Sequence, residues 1–313
     1  MKNNLMKKTK LIFVGILIAL ISVSATDAQR RRSRVKPKVK PQPIIFAVVN
    51  DGQMIEPLGL VDKGNLEAAT GGDGDEKDLA AFAKSYYQPK TTYQLVFGGA
   101  DAGTVTVTGS NAKADCNKNM AQITVQSKKT KLKGFVMALA TSDLADKSIT
   151  GVRRLPTAAE RAEIETLVRA EFVKQSVTAS AAKNLKYHNL TALDVDNDKR
   201  AEMVGTFWVE TAPTTRALLF FIADKNANGK YAIGLSEFKT IKQDELMSGA
   251  DIKTVDEGIY HERLLDALEY DGDTSAEIFT YTQSFEGSSF SAYSRREGKW
   301  EKAFEGSNYH CAY

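Results

Sequence analysis

The sequence predicts a mainly β fold of the α+β class. An N-terminal small β domain, one linking amphipathic helix and a C-terminal pair of four-stranded, blade-like antiparallel sheets are expected, and the pair does not close into a propeller. Three observations carry this expectation. Short runs of β-branched and apolar residues, bounded by Gly, Asn and Asp clusters, recur through residues 44–150. One stretch after Pro156 places its apolar residues at helical spacing. From about Lys186 onward, a unit made of a strand, an acidic loop and three further strands occurs twice, the copies offset by 75 residues.

At 313 residues the chain can hold two domains that each bury a core. It opens on a leader pattern: Lys2, Lys7, Lys8 and Lys10 precede an apolar run over residues 11–23, followed by small residues ending at Ala28. That run is shorter than the ~20 residues a membrane-spanning helix needs, so residues 1–28 read as a signal peptide cleaved after Ala28, with Ala25 as the alternative. Export to the periplasm or the cell exterior follows. Residues 29–43 are a basic, Pro-rich linker in which Arg30, Arg31, Arg32, Arg34, Lys36, Lys38 and Lys40 repel one another and Pro37, Pro41 and Pro43 keep the chain extended. Such a tail can touch an anionic surface. The first forty residues hold eleven of the 42 basic side chains and one of the 39 acidic ones, so the net charge of +3 conceals an acidic folded part. A basic groove for nucleic acid is not supported.

Within the N-terminal β-rich domain, 44–150, the runs IIFAVV, TYQLVF, TVTVTG, AQITVQ and GFVMALA read as strands. A helix is expected over residues 76–86, with Leu79, Phe82, Ala83 and Tyr86 on one face. Two glycine-rich stretches lack phosphate-binding spacing: GGDGDEK carries three acids, and FGGADAGT is better read as a hairpin turn. The linking helix falls in residues 151–183. Thr157 and Glu160 form a capping box, after which Ile164, Leu167, Val168 and Phe172 line one face.

The repeat domain spans 184–313. In the first copy Asp194, Asp196, Asp198 and Glu202 fall at offsets of two, two and four; in the second, Glu269, Asp271, Asp273 and Glu277 do the same. A tight loop would aim these carboxylates inward, where they repel one another unless a hard cation with oxygen ligands sits among them, and calcium suits a flexible all-oxygen loop. An ordinary solvated turn is the alternative. In the second copy Phe279, Tyr281 and Phe285 alternate with polar residues, as a sheet with one buried face requires. The segments DVDNDKRAEM and EYDGDTSAEI resemble the calcium loop of FG-GAP and VCBS repeats, the blades of integrin-type propellers. The resemblance covers about 130 residues and implies that the eight acids named are calcium ligands. Lys199 and Thr274 stand where that pattern has glycine, and two blades are too few for a ring that takes four to eight. A third acidic turn, DKNANG at 224–229, has Leu235 where a calcium loop of the EF-hand type needs a bidentate Glu, and reads as a hairpin.

Cys116 and Cys311 are the two cysteines, and in an exported protein they can pair and tie the first domain to the chain's end. Catalytic signatures are weak. His261 opens HERLL, where Leu265 replaces the second histidine of a zinc motif, and GLSEF lacks the last glycine of a nucleophile elbow. His188 and His261 each follow a tyrosine just before a repeat, which suggests one shared structural position. The expectation is a non-catalytic binding protein with calcium-stabilised loops, meeting a protein or glycan at the cell envelope. The alternatives are a polysaccharide binder or hydrolase using Trp208, Tyr281, Tyr293 and Trp300, and a structural envelope protein.

Overall fold

A computed structural model describes residues 41–69, 75–142, 152–246, 254–273, 275–284 and 286–311. The expected leader, residues 29–40 of the basic linker, Thr274 and Phe285 lie outside the described residues.

The N-terminal domain is a barrel. Strands β1 (Ile44–Val49), β2 (Met54–Asp62), β4 (Thr92–Phe97), β5 (Ala100–Ser110), β6 (Ala121–Ser127) and β7 (Ala138–Thr141) pair in the order β1-β7-β4-β5-β6-β2, and β1 pairs with β2 to close the ring. The short β3 (Asn65–Glu67) continues from β2 outside it. Closure removes the open edges that a flat sheet would otherwise present. Helix α1 (Glu76–Tyr86) is capped by Asp75, whose carboxylate accepts from the Lys77 N–H, and it buries Phe82, Ala83 and Tyr86 against the barrel interior.

Strand β1 explains how the domains stack. All six of its residues are buried, which a strand with one wet face does not allow. Ile44, Phe46 and Val48 point into the barrel, while Ile45, Ala47 and Val49 meet Leu265, Leu268, Phe279 and Phe290 of the second repeat sheet. That sheet comprises β12 (Arg263–Leu268), β13 (Glu277–Gln283), β14 (Gly287–Arg296) and β15 (Lys299–Tyr309) in sequential antiparallel order. Its other face, with Leu264, Ile278 and Tyr293, packs on Val204, Phe220 and Ile222 of the first repeat sheet. The first sheet is β8 (Lys186–Leu193), β9 (Glu202–Ala212), β10 (Thr215–Lys225) and β11 (Tyr231–Lys242). On its far side lie Ile164, Val168 and Phe172 of α2 (Ala158–Lys174), followed by the one-turn α3 (Ala179–Lys183). The layers therefore run helix, sheet, sheet, barrel.

This stacking corrects the expectation of one buried face for β13. Thr280 is as buried as Phe279 because both sides of the second sheet are covered. The stretch GFVMALA is strand only from Ala138, since Gly134 takes a left-handed φ of 63° and breaks the run. The capping box at α2 is present, and Arg154 holds Glu160 in a two-pronged pair at 2.7 and 2.9 Å. That guanidinium keeps the Glu160 carboxyl well below the usual carboxylate range. Arg154 also exchanges backbone bonds with Ala192, which covers part of the β8 edge. Cys116 and Cys311 form a disulfide with a Cα–Cα distance of 5.4 Å, joining the β5–β6 connection to the residue range after β15.

Candidate metal centre

Each acidic loop lies between the first and second strands of its repeat, and short side chains that bond their own backbone shape it. In the first, Asp196 Oδ1 accepts from the Asp198 N–H at 3.2 Å and Asp198 Oδ1 from the Arg200 N–H at 2.7 Å. In the second, Asp271 Oδ1 accepts from the Asp273 N–H at 3.0 Å and Asp273 Oδ1 from the Ser275 N–H at 2.8 Å. Glu202 Oε2 accepts from the Val195 N–H at 3.1 Å, and Glu277 Oε2 from the Tyr270 N–H at 3.4 Å. The same bonds at the same offset make the two loops copies of one turn. Asn197 and Gly272 take equivalent left-handed conformations, with φ of 62° and 93°. Lys199, at φ 67°, stands where glycine would be free of strain, and its N–H is fixed on Asp194 Oδ2 at 3.1 Å. The loops are neighbours, because the Ala276 N–H donates to Val195 O at 2.8 Å.

The structure gathers six of the eight expected ligands into two groups. Asp194, Asp196 and Glu202 each offer one oxygen within 4.8 Å of the others, as do Glu269, Asp271 and Asp273. Asp198 stands apart in an ion pair with Arg200, and Glu277 lies fully buried beneath the second group. The donors are all carboxylate oxygens, the set that suits a hard divalent ion. Asp194 is 8 % exposed, and its Oδ1 is buried with no hydrogen-bond partner.

A cation from the other sheet enters the first loop. Arg295 on β14 donates to Asp196 Oδ2 and to Glu202 Oε1, each at 2.8 Å, and it also pairs with Asp224. Its guanidinium carbon sits 4.7 Å from the centre of the Trp300 ring, and Trp300 Nε1–H donates to Asp224 Oδ1 at 2.9 Å. Asp224 is thus drawn away from the 226–229 hairpin, which Asn226 closes by accepting from the Asn228 and Lys230 N–H groups. Burial raises the Glu202 pKa to about 7 despite Arg295. At Glu277 burial, with Asp271 and Glu269 close by, pushes it to about 9. Among the described residues, Asp271, Asp273 and Glu277 make no ion pair.

Sequence reasoning missed Arg295, which lies far from the loop in the chain, and read Asp224 only as part of a hairpin turn, not as a partner of Arg295 and Trp300. It also missed two buried clusters. Asp266 is fully buried and accepts from Gly98 N–H, Gly99 N–H and Arg153. Glu56 Oε1 receives Ser288 Oγ–H, Asn308 Nδ2–H at 3.0 Å and the His310 ring nitrogen at 2.6 Å. Ser288 and His310 both address the same carboxylate oxygen rather than each other, so they do not form the nucleophile–base contact that hydroxyl activation needs. His188 lies within β8 and His261 just before β12, so they are not equivalent positions of the repeat, but their rings stack at 4.1 Å and 9°. Tyr281, Tyr293 and Trp300 are buried in the sheets, and Trp208 is half-buried beneath the Lys186 ammonium, 4.3 Å from its ring centre.

Comparison with known proteins finds no matching family model, no matching curated protein and no matching solved structure.

Proposed function

We propose that this chain is an exported, non-catalytic binding protein whose acidic loops are held by calcium, as the resemblance to FG-GAP and VCBS loops implies. The observation that carries this is Asp194 Oδ1, a buried carboxylate oxygen without a partner in a group of three acids whose ligand atoms fall within 4.8 Å. Leaving such an atom unpaired is costly, and a hard cation satisfies it. Asp194, Asp196 and Glu202 would hold one ion, and Glu269, Asp271 and Asp273 a second. The ion supplies positive charge and rigidity; the chain's own residues shape the loop and bring the two sheets into register. The Cys116–Cys311 disulfide supports an oxidising compartment. The partner is a protein or glycan at the cell envelope, and of the four aromatic residues a glycan surface would use, Trp208 alone retains accessible area beyond a few per cent.

A ligand that binds only the folded state at a hundred times its Kd adds about 2.7 kcal/mol, which for a chain of this size raises Tm by roughly 5–10 °C. Millimolar calcium should produce that rise and Asp194→Asn should reduce it. An unchanged Tm in calcium and in chelator would refute the proposal.

A further inference from the structure

We infer that Arg295 is an internal cation that competes with calcium for the first acidic loop, so that calcium entering there displaces a guanidinium linking the two repeat sheets. The inference rests on the calcium proposal and concerns what the first loop does with the ion.

The oxygens involved decide the point. Asp196 Oδ1 and Glu202 Oε2 are engaged by backbone N–H groups, while Asp196 Oδ2 and Glu202 Oε1 are engaged by Arg295. Asp194 Oδ1 is left over, buried and without a partner. The guanidinium therefore neutralises two of the three clustered acids and does not satisfy the third. A divalent ion reaching Asp194, Asp196 and Glu202 together would lie beside that guanidinium, and like charges at such range repel strongly where solvent is scarce. Both cations cannot keep the same carboxylates.

Arg295 belongs to β14 of the second sheet and its acids to the first, so these contacts hold one sheet to the other. Released from Asp196 and Glu202, the guanidinium retains Asp224 at the same seam, and its place over the Trp300 face, now set by all three carboxylates, changes. At the second loop, Asp271, Asp273 and Glu277 form no ion pair among the described residues, and Ser294 Oγ donates to Glu277 Oε1 at 3.4 Å. Calcium thus fills the first loop only by exchange with the guanidinium. By linkage, whatever factor Arg295 takes from calcium affinity, calcium takes from the Arg295 contacts.

The test uses the full chain carrying Asp271→Asn and Asp273→Asn, which silences the second loop. Calcium is titrated by calorimetry and by tryptophan emission. Arg295→Gln should bind calcium at the first loop about tenfold or more tightly than the parent, within the usual range of coupling between two sites. Arg295→Lys, which keeps a charge but loses the fork on two carboxylates, should fall between. In the parent, calcium should change Trp300 emission as the guanidinium moves off, and in Arg295→Gln that change should vanish. Equal or weaker calcium binding in Arg295→Gln overturns the inference alone. So does calcium binding to the parent with Trp300 emission unchanged, a measurement that needs no Arg295 variant to fold. No calcium bound by either protein, or by the chain with both loops intact, overturns the calcium proposal and the inference with it.

Discussion

Arg153→Met should destabilise the fold more than substitution of an arginine on the outer surface, because the Arg153 side chain is buried against Asp266. The Arg153 Nη1 group donates to Met137 O at 2.9 Å, to Leu265 O at 2.7 Å and to Asp266 Oδ2 at 3.0 Å, and its guanidinium carbon lies 4.5 Å from the Phe97 ring centre. Asp266 is fully buried, and the Gly98 and Gly99 N–H groups donate to its two oxygens at 2.9 and 3.1 Å. One side chain thereby joins the segment before α2, the β4–β5 turn of the barrel and β12 of the second sheet. Methionine preserves much of the packing volume and removes the countercharge. Breaking a buried pair in this way costs about 3–5 kcal/mol, because the remaining carboxylate is desolvated, and a loss of that size lowers Tm by roughly 10 °C. Urea unfolding of the folded chain reads the change as a shift in midpoint at constant slope. Adding Asp266→Asn, which removes the uncompensated charge and keeps an acceptor for one of the Gly98 and Gly99 N–H groups, should recover part of the loss. A cost below about 1 kcal/mol for Arg153→Met would show that the buried charge is not what joins barrel to sheet.

Reducing the Cys116–Cys311 disulfide releases a constraint on a 195-residue separation. The loop-entropy relation puts the upper limit of that effect near 5 kcal/mol. Unfolding with and without a thiol reductant measures it, and an unchanged midpoint would mean that the bridge adds nothing to the contacts around Glu56. A second expectation concerns pH. Burial holds the His188 pKa down to about 4 with Arg263 adding to the effect, and holds His261 down to about 3 with His188 and Arg263 adding. The unfolded chain protonates these rings first, near their ordinary value of 6.5. Stability is therefore full above pH 6.5 and falls as pH drops toward 4, by up to ~1.4 kcal/mol per unit for each ring. The difference in unfolding midpoint between the native chain and His188→Gln/His261→Gln should shrink across that window; a constant difference would contradict the account.

Local signals in the sequence located the local structure. The apolar face at Phe82, Ala83 and Tyr86 and the capping pair Thr157 and Glu160 interact over a few residues and stand where their spacing placed them, and six of the eight repeated acids gather, Asp198 and Glu277 being the exceptions. Long-range pairing was not legible. The ring closes through β1 against β2 and β7, and β2 contains Pro57 and Gly59, which argue against a strand in a local reading. A shift in register between Ile45 and Phe46 accommodates Pro57. The site divides in the same way. Asp194, Asp196 and Glu202 are found by their spacing, but Arg295 reaches them across 99 and 93 residues from Asp196 and Glu202, through a contact that only sheet stacking creates. The acids thus identify a place for a cation, while the fold shows that one such place already contains a cation of the protein's own.

The most direct test of calcium in these loops is elemental analysis of the purified protein after dialysis against low free calcium, compared with Asp196→Asn and Asp271→Asn. Retained calcium that decreases in each variant is the expected result, with the larger loss in Asp271→Asn because Arg295 occupies two carboxylates of the first loop. A calcium content indistinguishable from the dialysis buffer, the same in all three proteins, would contradict the account.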